Sequence, residues 1–314
     1  MTLLLALRNW DVEVWRERFR KLLPDLEVVV LGEPFDRRSV HYAVAWHHPP
    51  RSLAGLPNLA AILSPGAGVD HVLADPDCPQ VPIFRVVDPD LTARMSEYVV
   101  LHCLLYLRGL PYYRECQRRH EWLPQNDAPS AADVRVGLLG YGVLGHDAAT
   151  KLHVMGFDVA GWSRTAKPAA DIPMFAGEEQ LSAFLSRTDI LVCLLPLTEA
   201  TRGILNIKLF SGLAQNGRLG APVLINAGRG GLQSEADILE ALNTGVLGAA
   251  TLDVFQQEPL PSDSALWDHP NVIITPHNAA DSNPETIATW IAEQIRILRR
   301  NEIPGGLVNA DQGY

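Results

Sequence analysis

A glycine-spaced turn restricts the fold of this chain more than any other stretch of its sequence. The segment VGLLGYGVLGHDAATKL, which begins at Val136, carries Gly140, Gly142 and Gly145 in a G-x-G-x-x-G pattern. The glycines follow an apolar strand and open a helical pattern, so the first suits a tight turn and the third lets the helix pack closely on the strand. Such a unit is built on a parallel sheet, and the segment therefore predicts an α/β protein.

Short β-branched runs alternate with longer helical patterns along all 314 residues, which is typical of successive β–α–β units. A first series of strands is predicted at Thr2–Leu7, Glu27–Leu31, Tyr42–Trp46, Leu59–Leu63 and Ile83–Val86. A second series begins at Val134 and continues at Asp158–Trp162, Asp189–Leu195, Val223–Asn226, Ala249–Val254 and Val272–Thr275. The main helices are predicted at Asp11–Leu23, Thr92–Leu107, Val143–Met155, Glu178–Ser186, Ser234–Asn243 and Pro284–Arg300. We therefore predict two Rossmann-like or flavodoxin-like parallel-sheet domains.

Charge and cysteine content limit the kinds of partner that the protein can bind and indicate the cellular compartment that suits it. The chain has 26 basic and 36 acidic residues, and a net charge of −10 disfavours nucleic acid and anionic membranes, which repel it. The start of the chain lacks the basic region of a signal peptide, and no apolar stretch has the length of a transmembrane helix. The four cysteines include no C-x-x-C pair and suit reduced thiols. We therefore predict a cytoplasmic protein with neither nucleic acid nor membrane as a partner.

The glycine-spaced turn also predicts a ligand. Gly142 lets a pyrophosphate approach the backbone, and the helix that begins at Val143 and Leu144 offers unpaired N–H groups to its charge. A glycine-rich turn without any ligand is the alternative. In this strand–helix context we predict a dinucleotide site, which includes the close-packing glycine Gly145.

The end of the next strand indicates which dinucleotide is bound. A protein that reads NAD usually has a carboxylate there for the ribose 2′-hydroxyl, but this chain has GWSRTAK, with Ser163, Arg164, Thr165 and Lys167. Hydroxyl and cationic groups suit a 2′-phosphate, which a carboxylate would repel. We therefore predict NADPH or NADP as the cofactor, with NADH as a weaker alternative. Stacking of Arg164 on the adenine, without any choice between cofactors, is the other interpretation.

The stretch LINAGRGG, from Leu224 to Gly231, places one arginine among glycines at the end of an apolar strand. Arg229 either binds a small anion, in which case the glycines leave room beside it, or points to solvent from a tight turn. The stretch alone does not decide between the two.

Several motifs together resemble those of one family. GLLGYGVLG, LINAGRGGL, TLDVFQQEPL and ITPHNAA follow each other in the order and spacing of the D-2-hydroxyacid dehydrogenases, and PGAGVDHV near Pro65 fits their first domain. WSRT, the ITPHNAA ending and Trp46 in YAVAWHHPP resemble the glyoxylate/hydroxypyruvate reductase branch. The resemblance covers essentially the whole chain.

The resemblance implies an architecture and a reaction. It implies a discontinuous substrate domain, residues 1–98 plus 284–314, and an inserted NADP-binding Rossmann domain, residues 99–283. It further implies an inter-domain active-site cleft, a homodimer paired through the nucleotide domains, and a small 2-keto acid as substrate. The expected activity is NADPH-dependent reduction of glyoxylate and hydroxypyruvate. A dehydrogenase for a larger 2-keto acid and a non-catalytic dinucleotide-sensing protein are the alternatives.

The resemblance also implies roles for individual residues. Arg229 binds the substrate carboxylate and polarises the keto oxygen, His277 is the general acid in reduction, and Glu258 pairs with His277. The backbone N–H groups of Ala67 and Gly68 receive the substrate carboxylate, and Trp46 borders the substrate. Asp253 holds the nicotinamide carboxamide. The remaining implied cofactor contacts are Leu195, Pro196 and Ala227, together with Arg229 and His277.

These implied roles agree with elementary chemistry. Reduction of a keto group leaves a developing alkoxide, which an imidazolium can protonate and a guanidinium can stabilise. A neighbouring carboxylate favours the charged imidazole. The cluster His41, His47 and His48 has no carboxylate or cysteine at ligand spacing, so no metal site is predicted.

Overall fold

The computed structural model describes residues 1–167, 172–281, 283–310 and 313, and it divides into two compact units. The first unit is Met1–Leu91 together with Ser282–Tyr314, and the second is Thr92–Asp281. The division after Leu91 falls inside one helix, Pro89–Leu107. Both units are parallel-sheet α/β domains, which confirms the predicted fold class.

The first unit is built on a five-stranded parallel sheet of order β2-β1-β3-β4-β5, the flavodoxin-like order. Its strands are β1 (Thr2–Leu7), β2 (Glu27–Val30), β3 (Val40–Trp46), β4 (Ala61–Ser64) and β5 (Ile83–Arg85). Its helices, numbered along the whole chain, are α1 (Val12–Leu22), α2 (Asp70–Leu73) and α9 (Pro284–Arg299). Every strand is apolar on both faces, as expected for a parallel sheet that is covered on both sides.

Helix α9 covers one face of this first sheet although it lies far along the chain from the strands. Ile291 and Ile295 of α9 join Phe19 of α1 in one buried cluster with the strand residues Leu3 and Leu63. The start of α9 has a cause in the sequence. Asn283 caps the first turn by accepting from the Glu285 N–H, and Pro284 occupies the first helical position, where a missing N–H costs nothing.

The second unit is built on a seven-stranded parallel sheet of order β12-β11-β10-β9-β6-β7-β8. Its strands are β6 (Arg135–Leu139), β7 (Asp158–Ser163), β8 (Met174–Ala176), β9 (Ile190–Cys193), β10 (Val223–Asn226), β11 (Ala249–Leu252) and β12 (Val272–Ile274). Its helices are α3 (Pro89–Leu107), α4 (Leu110–Arg118), α5 (Val143–Val154), α6 (Gly177–Ser186), α7 (Ile207–Ser211) and α8 (Glu235–Thr244). The strand order reverses between β6 and β9, and open α/β sheets bind ligands outside the carboxyl ends of the strands at such a point.

The structure differs from the predicted elements in a few places. The edge strand β8 and the helix α4 were not predicted. Strand β8 has only three residues, all half-buried, so it shows no clear alternation. Helix α4 has Pro111 in its first turn, which resembles a helix stop but is a favoured starting position. In the described part of the chain, no helix is long and apolar enough to cross a membrane.

Candidate active site

Three of the side chains singled out in the sequence follow three neighbouring strands of the second sheet. Arg229 comes three residues after β10, Glu258 follows β11, and His277 follows β12. These strands are adjacent and parallel, so their carboxyl ends lie at one edge of the sheet. The turn after β6 that contains Gly140 opens at the same edge.

The carboxylate of Glu258 and the imidazole of His277 are paired. Glu258 Oε2 lies 2.7 Å from His277 Nδ1, and Glu258 Oε1 accepts a hydrogen bond from the Phe255 N–H at 3.0 Å. Partial burial raises the pKa of Glu258, but the hydrogen bonds from His277 and Phe255 and the charges of His277 and Arg229 outweigh burial and lower it. The carboxylate is therefore held in its charged form against the imidazole, and Arg229 is close enough to contribute.

His277 adopts a backbone conformation that few residues with a Cβ adopt. Its φ angle is +55°, in the left-handed region, and its N–H donates to the carbonyl oxygens of Asp253 at 2.8 Å and Thr275 at 3.0 Å. Conformations of this kind persist only where the surrounding contacts enforce them, and they cluster at functional sites.

The carboxylate of Asp253 helps to hold His277 in this backbone conformation. Its carboxylate is 2% exposed and accepts hydrogen bonds from Thr275 Oγ1 at 2.6 Å, from the Asn278 N–H at 3.0 Å and from the Ala279 N–H at 3.1 Å. These donors lie on both sides of His277, so Asp253 fixes the loop that carries the imidazole. The sequence had implied a contact with the nicotinamide for Asp253, and this loop-holding contact was not foreseen.

Two tyrosines of α3 connect that helix to the same strands. The hydroxyl of Tyr98 is 2.8 Å from Thr275 Oγ1, and the hydroxyl of Tyr106 is 2.8 Å from Thr251 Oγ1. Burial raises the pKa of Tyr106 to about 12, so its hydroxyl stays neutral at physiological pH. Neither tyrosine was predicted as a site residue, because each lies in an apolar helix that reads as core.

The glycines on either side of Arg229 are required by close packing against other parts of the chain. A Cβ at Gly228 would lie 2.9 Å from the Leu195 carbonyl oxygen, and a Cβ at Gly230 would collide with the backbone of Phe255. Arg229 itself is half-buried, and its Nη1 donates to the Gly228 carbonyl at 2.8 Å. Close packing on both sides therefore fixes the backbone of the turn from which the Arg229 side chain extends.

The G-x-G-x-x-G turn has the geometry that the sequence predicts. Gly140 has a φ angle of +110° and no room for a Cβ against the backbone of Leu194, while a Cβ at Gly145 would collide with the Gly140 carbonyl. Gly142 has open space where its side chain would be, and it caps α5 without any side-chain hydrogen bond. The first N–H groups of α5 therefore point to an open position, which fits a pyrophosphate.

The side chains predicted to surround the rest of the dinucleotide lie at the same edge. Leu195 and Ala227 are buried just after β9 and β10, and Pro196 is half-buried. At the start of α5, Val143 is 47% exposed and Leu144 is half-buried, although both are apolar. An exposed apolar side chain beside an open helix terminus is consistent with a surface that a ligand covers.

The loop after β7 presents cationic and hydroxyl groups. Ser163 is 8% exposed, and its hydroxyl donates to the Thr165 carbonyl at 2.8 Å, which folds the loop back on itself. Arg164, Thr165 and Lys167 are exposed, and no carboxylate lies among them. The fold thus leaves these groups accessible from the side on which a 2′-phosphate would lie in a Rossmann domain.

The first unit contains the remaining predicted residues at the carboxyl ends of β3 and β4. Ser64 Oγ donates to the Gly68 carbonyl at 3.1 Å and shapes the turn after β4. Among the described residues, nothing accepts a hydrogen bond from the N–H groups of Ala67 and Gly68. Backbone donors left unpaired on a turn form a receptor for a carboxylate.

Trp46 ends β3 beside that turn and is half-buried. Its ring meets the rings of His71 and His47 edge-on, with centroid distances of 4.6 and 4.9 Å. A Cβ at Gly66 would collide with the Trp46 ring, so this glycine is what allows the turn to pass beneath the indole. Among the described residues, no group of three or more metal-ligating side chains is placed to hold a metal ion.

Comparison with known proteins supports the class that this geometry defines. A parallel sheet with a glycine-rich turn at its switch point and an acid–base pair at the same edge is typical of a dinucleotide-dependent dehydrogenase. Residues 84–279 match the family model described as the NAD binding domain of D-isomer specific 2-hydroxyacid dehydrogenase. The chain belongs to the D-isomer specific 2-hydroxyacid dehydrogenase family.

Relatives of known name cover the chain from end to end. A glyoxylate/hydroxypyruvate reductase A from Serratia proteamaculans is 38% identical over 97% of each chain. The structure of an NADPH-dependent glyoxylate/hydroxypyruvate reductase from Sinorhizobium meliloti, solved with NADP and sulfate, is 45% identical and superposes with a TM-score of 0.92 over 100% of both chains. A probable 2-hydroxyacid dehydrogenase from Rhizobium etli, in complex with NADP, HEPES and L(+)-tartaric acid, is 42% identical, with a TM-score of 0.94 over 100% of this chain and 99% of the other.

Proposed function

We propose that this protein is an NADPH-dependent reductase of small 2-keto acids that converts glyoxylate to glycolate and hydroxypyruvate to D-glycerate. The observation that carries the proposal is the Glu258–His277 pair at 2.7 Å, with Arg229 close enough to lower the pKa of Glu258. Relatives named glyoxylate/hydroxypyruvate reductase, at 38% and 45% identity over nearly the whole chain, support the choice of substrates.

Three residues of this chain have distinct roles in the proposed reaction. Bound NADPH supplies a hydride to the keto carbon. Arg229 holds the substrate carboxylate and stabilises the negative charge that develops on the keto oxygen. His277 gives its proton to that oxygen, and Glu258 fixes the orientation of the imidazole and favours its charged form.

The residues also fit the two ligands. The open position at Gly142 and the first N–H groups of α5 suit a pyrophosphate. By the family resemblance, we assign Asp253 and Ala227 to the nicotinamide half. In the first unit, the unpaired N–H groups of Ala67 and Gly68 suit the substrate carboxylate. We accordingly propose residues 1–98 with 284–314 as the substrate domain and residues 99–283 as the nucleotide domain. We also propose a cytoplasmic protein, which the four unpaired cysteines support.

Initial rates on a panel of 2-keto acids test the proposal. NADPH oxidation is followed with glyoxylate, hydroxypyruvate, pyruvate and a branched-chain 2-keto acid, and then with NADH in place of NADPH. We expect kcat/KM to be highest with glyoxylate or hydroxypyruvate. A higher value with the branched substrate would favour a dehydrogenase for larger acids. Tight NADPH binding without turnover of any substrate would favour a dinucleotide-sensing protein.

The cofactor preference depends on the loop after β7. We expect the protein to prefer NADPH over NADH, and Arg164→Ala to raise the KM for NADPH about tenfold to a hundredfold, as for a charge-assisted contact, with little change for NADH. Ser163→Asp should reverse the preference, because its carboxylate repels the 2′-phosphate and accepts from the ribose hydroxyl. Steady-state kinetics with both cofactors at low salt measure this, and added salt should weaken the preference. Equal use of the two cofactors by the unmodified protein would contradict the assignment.

Exposed apolar side chains support the proposed homodimer. Several large apolar side chains of α3, α4 and the segment that follows them are exposed, and Trp122 is 95% exposed. If these side chains form one surface patch, such a patch would mark a site of protein–protein contact. The exposed set is Leu101, Leu110, Tyr112, Tyr113, Trp122 and Leu123.

Sedimentation velocity tests the dimer and its surface together. We expect a dimer at micromolar concentration. Trp122→Asp should shift the distribution toward the monomer, because it places a charge in a surface that the dimer would bury. Trp267→Asp, an exposed tryptophan outside this set, is the matched control and should leave the dimer intact. A monomer at every concentration would refute the proposed assembly.

A further inference from the structure

Two completely buried amide side chains lie beneath the turn that carries Arg229. Asn226 ends β10, Gln233 follows the turn, and both are 0% exposed. Asn226 Nδ2 donates to Gln233 Oε1 at 2.8 Å, and Gln233 Nε2 donates to the Val254 carbonyl at 2.9 Å. Asn226 also closes the turn itself, because its Oδ1 accepts from the Gly228 N–H at 3.1 Å and its Nδ2 donates to the Arg229 carbonyl at 3.3 Å. We call Asn226 and Gln233 the amide bridge.

The backbone groups at its two ends fix the orientation of the amide bridge. The Val254 carbonyl can only accept, so Gln233 must present its NH₂ group there and its oxygen toward Asn226. Asn226 must then offer NH₂ to Gln233 and its oxygen to the Gly228 N–H, which can only donate. The four groups are therefore compatible in a single arrangement, and a change at either amide leaves a buried partner unsatisfied.

The amide bridge connects the two turns that carry the proposed chemistry. One end holds the Arg229 turn, and the other holds Val254, four residues before Glu258. A second link runs in parallel, since Gln256 Nε2 donates to the Gln233 carbonyl at 2.8 Å. The backbone of the two turns is in direct contact as well, because a Cβ at Gly230 would collide with the Phe255 carbonyl.

We propose that Gln233 is a positioning residue, which acts through Asn226 to set the distance between the Arg229 guanidinium and the Glu258–His277 pair. The proposal rests on the proposed function, in which all three side chains act on one substrate. Arg229 must meet the carboxylate and the keto oxygen while His277 meets that same oxygen, so an error of about 1 Å between the two turns costs about a hundredfold in rate. Hydrophobic packing alone does not define such a distance, because apolar contacts are not directional.

Three variants test this role. Gln233→Met keeps the length of the side chain and removes both hydrogen-bonding groups, whereas Gln233→Glu keeps the acceptor for Asn226 and loses the donor to Val254. The matched control is Gln294→Met, because Gln294 is a buried amide of α9 in the first unit that bonds the Trp290 carbonyl and the Gly305 N–H. For each variant the melting temperature, the Kd for NADPH and the kcat and KM for glyoxylate are measured.

We expect Gln233→Met to lower kcat/KM for glyoxylate about tenfold to a hundredfold while the Kd for NADPH changes less than about threefold. Gln233→Glu should also lower kcat/KM for glyoxylate, because the charged carboxylate places an acceptor against the Val254 carbonyl, which is itself an acceptor. Gln294→Met should lose thermal stability and keep kcat/KM. If Gln233→Met lost no more kcat/KM than Gln294→Met at equal stability, Gln233 would be structural only and the proposal would be overturned.

Hydrogen exchange separates failure of this inference from failure of the proposed function. If the unmodified protein reduces none of the 2-keto acids, the proposed function is wrong. Hydrogen exchange of the 226–233 backbone then still tests whether the amide bridge orders the Arg229 turn. Faster exchange at Gly228 in Gln233→Met, with unchanged exchange in β6 and β7, would support a bridge that orders the turn. Unchanged exchange at Gly228 would overturn it.

Discussion

Replacing Arg229 with alanine is expected to abolish most turnover while leaving the protein folded and able to bind NADPH. The guanidinium is half-buried at the end of β10 and lowers the pKa of Glu258, so it is part of the charge balance of the site. In the proposed reaction it anchors the carboxylate and stabilises the developing alkoxide. Loss of one such electrostatic donor costs about 10²–10³ in rate, and loss of the anchor adds to the KM. Steady-state kinetics with glyoxylate and NADPH fluorescence titration measure both effects.

A second arginine of the same unit provides the control for this prediction. Arg187 is ion-paired with Asp158 at 2.7 Å at the opposite, amino edge of the same sheet, where β7 begins. Arg187→Ala should therefore affect stability and leave kcat/KM nearly unchanged. Arg229→Lys is informative too, because an ammonium keeps the charge but cannot form the bidentate contact that a guanidinium forms with a carboxylate. Near-normal kcat/KM in Arg229→Ala would remove Arg229 from the mechanism.

The two edges of the second sheet use charged residues in different ways. At the amino edge, Asp189 is 1% exposed and accepts from Nε and Nη2 of Arg135 at 2.9 and 2.7 Å and from the Arg135 N–H at 2.8 Å. Both oxygens of this carboxylate are thus used by the protein itself. At the carboxyl edge, Glu258 and His277 are partly exposed, with 35% and 44% of their side-chain surface accessible. An acid–base pair that stays accessible at the carboxyl edge is what a ligand-binding edge requires.

The sequence was sufficient to predict the parts of the fold that depend on local signals. The turn from Gly140 to Gly145 could be predicted because each glycine answers a steric need within the same strand–turn–helix unit. Arg229, Glu258 and His277 could be expected together because each follows a strand, and neighbouring parallel strands end at one edge.

The burial of Gln233 and the need for glycine at position 230 depend on contacts between distant segments, so no local sequence pattern predicts them. Gln233 reads as an ordinary polar residue before a helix, and only the packing of β10 against β11 shows that it is buried and bonded to Val254. The same packing explains why residue 230 is a glycine, which its local sequence does not show. Gly230 is small because the Phe255 backbone passes over it, a contact between residues far apart in sequence.

The pair Glu258 and His277 is expected to control the pH dependence of reduction. His277→Ala should lower kcat at every pH by about 10²–10⁴, the usual contribution of a general acid. Glu258→Gln should have a different effect. The hydrogen bond and charge of His277 help to lower the pKa of Glu258, which keeps a charged carboxylate beside the ring, and such a carboxylate favours an imidazolium. The neutral amide of glutamine cannot do so.

The direction of the shift follows from which form of His277 reacts. Reduction consumes the proton that the imidazolium gives to the keto oxygen, so activity falls as pH rises. An opposite charge beside an imidazole favours its protonated form, so the alkaline limb of the kcat/KM profile for glyoxylate should move toward acid when the carboxylate of Glu258 is replaced by a neutral amide. Glu235→Gln is the control, because Glu235 accepts from the Gln256 N–H at 2.8 Å on the same loop and an amide oxygen keeps that bond. Its pH profile should coincide with that of the unmodified protein. If the Glu258→Gln profile also coincided with it, the carboxylate would have no part in setting the charge of His277, and its role would be limited to orienting the ring.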